Sequence, residues 1–166
     1  MSIGILLIEA AAFCVLFTIM VFAMNKKDTA SKIHNYPPDI QEEYFKTHER
    51  VDVTYSNSKV LLTKSIGIIL FTLLLAFLGY IAGAKTFLQG FLVSFCLMVV
   101  IGLYDTLFLD WVLFANMKVF RLPGTEHMDK EYHQKWFHVK GLLFPGLVFA
   151  LIPAVIDGLI IMFLGR

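Results

Sequence analysis

Thr86 to Met117 reads TFLQGFLVSFCLMVVIGLYDTLFLDWVLFANM, an unbroken apolar run whose only charges are Asp105 and Asp110. An apolar run of this length is a bilayer-spanning helix, since core helices and strands are much shorter. As an α-helix its 32 residues measure about 48 Å, against a hydrocarbon core of about 30 Å. The helix must tilt, kink or project, and projection is favoured. Asp105 then lies about 28 Å from the outer end, and Asp110 lies further in. Trp111 falls at headgroup depth, where an indole serves as an interfacial anchor.

Three more runs flank this one: Ile3 to Met24, Ser65 to Ala84, and Leu142 to Leu164. Each supplies the roughly 20 residues that a crossing requires. The whole chain is 58% hydrophobic and only 16% charged, far from the roughly one-quarter charge of a soluble domain. The fold class is therefore an all-α, four-helix transmembrane bundle, with residues 1–166 forming one integral membrane domain. The second and third spans are joined by little more than Lys85, which makes them a tight hairpin. Gly79 and Gly83 form a G-x-x-x-G pair that suits close helix approach. Pro145 sits in the first turn of the fourth span, and Pro153, in its interior, is expected to kink it.

Loop charge sets the orientation. The loop 25–64 carries seven Lys and Arg residues and the loop 118–141 carries five, which is twelve of the chain's fourteen. Only Lys85 and Arg166 lie on the other side. Both loops are expected in the cytoplasm and both termini outside, in a plasma (inner) membrane. The first span has no basic segment before it and no small-residue cleavage site after it, so it reads as a retained span. The net charge of +1 gives no footprint for nucleic acid.

The loops carry their own patterns. Asp39 follows Pro37 and Pro38, with Glu42 three residues on, the spacing of an N-cap and capping box. Ile40, Tyr44, Phe45, His48 and Val51 recur at helical spacing, which predicts an amphipathic helix over about 40–50 lying on the inner membrane surface. Val51 to Ser58 reads as extended. In the second loop, Leu122-Pro123-Gly124 is a turn, and Thr125 can cap a helix with Met128, Tyr132 and Trp136 on one face.

Acids inside lipid are costly and face a bundle interior, a cavity or a partner. Glu9 lies six and Asp157 seven residues from the outer ends of their spans, each about 9–10 Å deep. At one depth they can share a proton or a cation, or be separately protonated or hydrogen-bonded. At the inner side, all five histidines lie in the two loops, and Asp105 and Asp110 approach them. Five α-helical positions correspond to roughly 140° of rotation, so the two aspartates are expected to point different ways. Candidate catalytic residues are Asp105, Asp110, His127, His133 and His138. His127 with Glu131, and Asp129 with His133, fall four apart on a helix; His127 and His133 are thus candidate ligands for a divalent transition metal such as Zn, Mn or Fe. Solvated or structural histidines fit the same spacing. Cys14 and Cys96 have neither C-x-x-C nor metal-ligand spacing and read as small buried hydrophobes.

Three functions fit these features. One is an enzyme or binding protein that handles a lipid-like substrate at the cytoplasmic face. Another is a small oligomeric transporter that uses Glu9 and Asp157 as a cation or proton site. The third is an accessory or scaffold subunit of a larger membrane complex, docking partners through its loop helices. No Walker A sequence or phosphotransferase motif is present to narrow the choice.

Overall fold

The computed structural model describes residues 2–25, 30–50 and 58–165, and the described residues are helical with short turns. Helix α1 is Ile3–Asn25 and α2 is Pro38–Tyr44. Helix α3 is Ser58–Ile81 and α4 is Phe87–Tyr104. A π-helical segment, Asp105–Phe114, continues α4. The second loop holds α5, Asp129–Tyr132, and α6, Lys135–Gly141. Helix α7, Leu147–Leu164, closes the chain.

Three stretches are long and apolar enough to cross a membrane: Ile3–Ala23, Phe87–Phe114 and Asp129–Leu164. In α3 the apolar part, Ser65–Ile81, falls short of that length. Large apolar side chains such as Leu7, Ile8, Leu70 and Phe163 are exposed. Continuous apolar surface of this kind suits lipid, not water.

Helices α4 and α7 form the tightest pair, and the reason is glycine. A Cβ on Gly90 would lie 2.8 Å from the Ile161 Cβ and 2.9 Å from the Asp157 carbonyl oxygen. One on Gly158 would lie 2.8 Å from the Phe87 ring. Gly79 is looser, with its nearest neighbours at 3.7 and 3.8 Å, and Gly83 belongs to the turn, at φ 83°. The close helix approach foreseen at Gly79 and Gly83 therefore occurs at Gly90 and Gly158. Helix α1 packs Phe13 against Leu75, Val93, Leu97 and Ile101 of α3 and α4.

One end of the bundle gathers the termini. The Ser2 N–H donates to the Ala82 carbonyl at 2.9 Å, and Gly165 lies against the Lys85 backbone. The turn between them is fixed by a capping box: the Gln89 N–H donates to the Thr86 hydroxyl, and the Gln89 side-chain oxygen accepts from the Thr86 N–H, both at 3.3 Å. Two orphan helix-end donors are thereby satisfied.

At the other end the two loops fold into one cap. Ile33, Tyr36, Ile40 and Tyr44 of the first loop pack with Phe114, Phe120, Leu122 and Tyr132. The Tyr36 hydroxyl donates to the Phe120 carbonyl at 2.9 Å. Burial, with Tyr132 beside it, pushes that phenol above its ordinary range. The Gln134 side chain donates to Asp39 at 2.6 Å and ties α2 to the second loop. This corrects the interfacial amphipathic helix expected over 40–50. Helix α2 stops at Tyr44, and its apolar residues Ile40 and Tyr44 are buried in the cap. Pro37 is its N-cap residue and makes no side-chain cap, so Asp39 is free to serve Gln134. The extended reading of residues 51–57 lies outside the described residues; Ser58 begins α3. Thr125 does not cap a helix either. Its hydroxyl donates to the Leu122 carbonyl at 2.9 Å and lies 2.7 Å from the Tyr132 hydroxyl.

The junction of α6 and α7 breaks at Phe144, whose φ of −150° and ψ of 118° are extended, just before Pro145. Helix α7 runs through Pro153. The break thus falls at Pro145, because residues before a proline are driven from helical to extended backbone.

Candidate functional site

The polar residues of the cap end converge where the π-helical segment meets α6. In a π-helix the hydrogen bond runs from i to i+5, so residues five apart stack on one face. Asp105 and Asp110 are such a pair. The expected 140° divergence does not occur, because α-helical geometry stops at Tyr104. Asp105 lies close enough to Asp110 and His138 for both to act on it electrostatically. Asp110 Oδ2 is 2.9 Å from His138 Nδ1, with His138 only 7% exposed. The Phe114 ring packs edge-on against the imidazole, with centroids 5.4 Å apart.

The tight cleft beside this pair is lined by Asp110, Trp111, Ala115, Tyr132, His133, Lys135 and His138. Side chains fill it. Lys135 Nζ lies 4.9 Å over the Trp111 ring. Two nitrogens in its wall, His138 Nε2 and Trp111 Nε1, are buried without a hydrogen-bond partner. Behind the cleft, the Arg121 guanidinium stacks 3.9 Å over the Tyr132 ring, donates to the Ala115 carbonyl at 2.7 Å and pairs with Asp129 at 2.8 Å. The Tyr132 hydroxyl accepts from the Leu122 N–H at 2.9 Å. This scaffolding fixes the backbone that carries Lys135 and His138.

Of the sequence candidates, Asp105, Asp110 and His138 come together, with His133 on the cleft rim. His133 Nδ1 lies 2.7 Å from the Asp129 carbonyl oxygen. His127 is exposed and acts on Glu43, away from this cluster. Among the described residues, no three His, Cys, Asp or Glu side chains converge in a way that would hold a metal. Sequence reasoning placed Trp111 as an interfacial anchor and not in a cleft wall. The spacing of Trp111, Lys135 and His138 gave no signal, because two different elements supply them.

The outer acids lie on different helices, Glu9 on α1 and Asp157 on α7. Asp157 is fully buried and accepts a 2.6 Å hydrogen bond from the Ser94 hydroxyl across the α4–α7 contact. Its other oxygen, and both oxygens of Glu9 on α1, are buried without partners. No hydrogen bond joins the two acids.

Comparison with family models, with curated proteins and with solved structures finds no match.

Proposed function

We propose that the chain is a four-span plasma-membrane protein with both termini outside and the two-loop cap in the cytoplasm. We further propose that the cleft beneath the cap is a binding and acid–base site for the polar head of a lipid-like substrate. One observation carries this: two side chains that line the cleft, His138 and Trp111, each bury a nitrogen, Nε2 and Nε1, that has no hydrogen-bond partner. Buried polar atoms in native proteins are nearly always paired, and those left unpaired need a reason. A bound polar head supplies one. Asp110 holds His138 by Nδ1, which leaves Nε2 as the working nitrogen; an imidazole so oriented accepts or returns a proton while the carboxylate balances the imidazolium. Asp105, close to both, is a second acidic group beside the pair. The apolar tail has an adjacent path, since Val112, Leu143 and Phe144 are exposed on the elements that meet here. The scaffold reading is weakened because α2 spends its apolar face inside the cap instead of offering it to a partner. The transporter reading retains the unpartnered oxygens of Glu9 and Asp157.

Native mass spectrometry of protein extracted from its own membranes tests the site. Wild type should retain an amphiphile that Trp111→Phe, which removes only the N–H, and His138→Ala both lose. Equal retention by all three refutes the site.

A further inference from the structure

We infer that the end of the bundle opposite the cap holds a site for an anionic phospholipid, whose phosphate rests beside Lys85 and Tyr80. A half-open groove of about 470 Å³ lies between the ends of α3 and α7, and its walls include Tyr80, Ile81, Gly83, Lys85, Leu164 and Gly165. Ligand sites run from about 300 to 1,000 Å³. This groove therefore has room for a lipid headgroup, whereas the cleft beneath the cap is filled by its own side chains.

The backbone around the groove is largely committed. The Gly83 N–H donates to the Tyr80 carbonyl and the Ala84 N–H to the Gly79 carbonyl, both at 2.9 Å, with Gly83 at φ 83°. That closure satisfies carbonyls which the end of α3 would otherwise leave open. The Ala82 carbonyl accepts from Ser2, and the Ile161 carbonyl from Gly165. The Lys85 N–H donates to the Gln89 side-chain oxygen at 2.8 Å, which fixes the residue at the rim. Two side chains remain open. Lys85 and Tyr80 are exposed. Among the described residues the ammonium pairs with no acid and the phenol makes no hydrogen bond. An ammonium and a phenol can both donate to one anionic oxygen.

Charge and position select the occupant. Residues 58–104 contain no acid, and Glu9 on α1 and Asp157 on α7 are buried. A choline or ethanolamine ammonium would find no counter-charge here, so a head whose only charge is its phosphate is preferred. Phe77, Ile81 and Leu164 are exposed apolar side chains. Phe77 lies one helical turn below Ile81 on α3, so an acyl chain has an apolar wall that continues from the groove. A tyrosine at the end of a spanning helix sits at headgroup depth. These features favour a lipid over a free anion.

The test places a reporter beside the groove. Full-length protein carrying Phe77→Trp, Trp111→Phe and Trp136→Phe has one tryptophan, since the chain has two of its own. It is reconstituted in nanodiscs of dioleoylphosphatidylcholine, and brominated phosphatidylglycerol or brominated phosphatidylcholine is added in graded amounts. Quenching of that tryptophan reads the lipid in contact with this end alone. Phosphatidylglycerol should be preferred about fivefold, the share of one cation at a membrane surface. Lys85→Gln should bring the ratio near one, Lys85→Arg should keep it, and Lys118→Gln, in the cap, should leave it unchanged. No preference in the parent protein, or a preference that survives Lys85→Gln, overturns the site. A loss with Lys85→Arg as large as with Lys85→Gln shows that charge is not the cause, and a matching loss with Lys118→Gln shows a field of the whole protein; either result overturns it too. If millimolar inorganic phosphate at constant ionic strength removes the preference, the groove takes a free anion and the lipid assignment falls.

Discussion

Replacing Gly90 with alanine adds one methyl group at the tightest point of the bundle. That Cβ would stand 2.8 Å from the Ile161 Cβ, and 2.9 Å from both Ile161 Cγ1 and the Asp157 carbonyl oxygen. Ordinary contact begins at 3.4 Å, so α4 and α7 must part by about half an ångström. A gap of that size forfeits roughly a quarter of each affected dispersion well. Inserting a methylene into a packed interior costs typically about 1–3 kcal/mol. The carbonyl cannot rotate away as a side-chain tip would, so the middle of that range, about 2 kcal/mol, is expected, a roughly 30-fold shift in the unfolding equilibrium. Gly67→Ala is the matched control, because nothing lies within 4 Å of its added Cβ. There, the better helix propensity of alanine should be neutral or stabilising by up to about 1 kcal/mol. Both variants are compared by SDS titration in mixed micelles, followed by circular dichroism. If Gly90→Ala is as stable as Gly67→Ala, the α4–α7 contact is not the close approach described, and the reasoning fails. A Gly90→Ala/Ser94→Ala pair should lose less than the sum of its parts, since parting the helices already loosens the Ser94–Asp157 bond.

Tyr132→Phe removes two hydrogen-bond partners inside the cap and should cost about 1–3 kcal/mol; the Leu122 amide should then exchange faster, and unchanged protection would argue against the tie. In Glu43 the hydrogen bond from Lys46 Nζ, at 2.5 Å, holds the carboxyl below its ordinary range. The pair's small contribution is present above the unfolded carboxyl value and is lost as pH falls through the depressed one; Lys46→Ala should move the Glu43 titration upward by NMR. For orientation, with Cys14 and Cys96 replaced by alanine, Lys85→Cys should react with an impermeant maleimide on intact cells, and Glu126→Cys only after permeabilisation. The opposite pattern inverts the protein.

The long apolar runs were legible because bilayer thickness imposes a length on any spanning helix. The convergence of the loops with Asp110 was partly legible, since charge bias put them on one side. The alignment of Asp105 with Asp110 was not, because a π-helical register leaves no mark in a run that is apolar at nearly every position, as at Leu107, Phe108 and Val112. The fate of α2 was misread for a related reason. Ile40 and Tyr44 show that one face is apolar, but not whether lipid or a second loop covers it. Ser94 carries no sequence signal, being a common small residue in a span; only Asp157 opposite gives it a role.

The shared cap also imposes an order on synthesis. Tyr36 finds Phe120 84 residues later, and Asp39 finds Gln134 after 95. At about 5–20 residues per second, the first loop leaves the ribosome roughly 4–17 s before its counterpart for the 84-residue step. Through that interval Ile33, Tyr36 and Ile40 form half a core. In the proposed topology, closure then requires that α4 has entered the bilayer in the correct sense, since a misdirected span would deliver Phe120 and Tyr132 to the opposite compartment. In that topology a chain threaded wrongly keeps an open, apolar first loop, and the cap closes only on a chain inserted in the right sense.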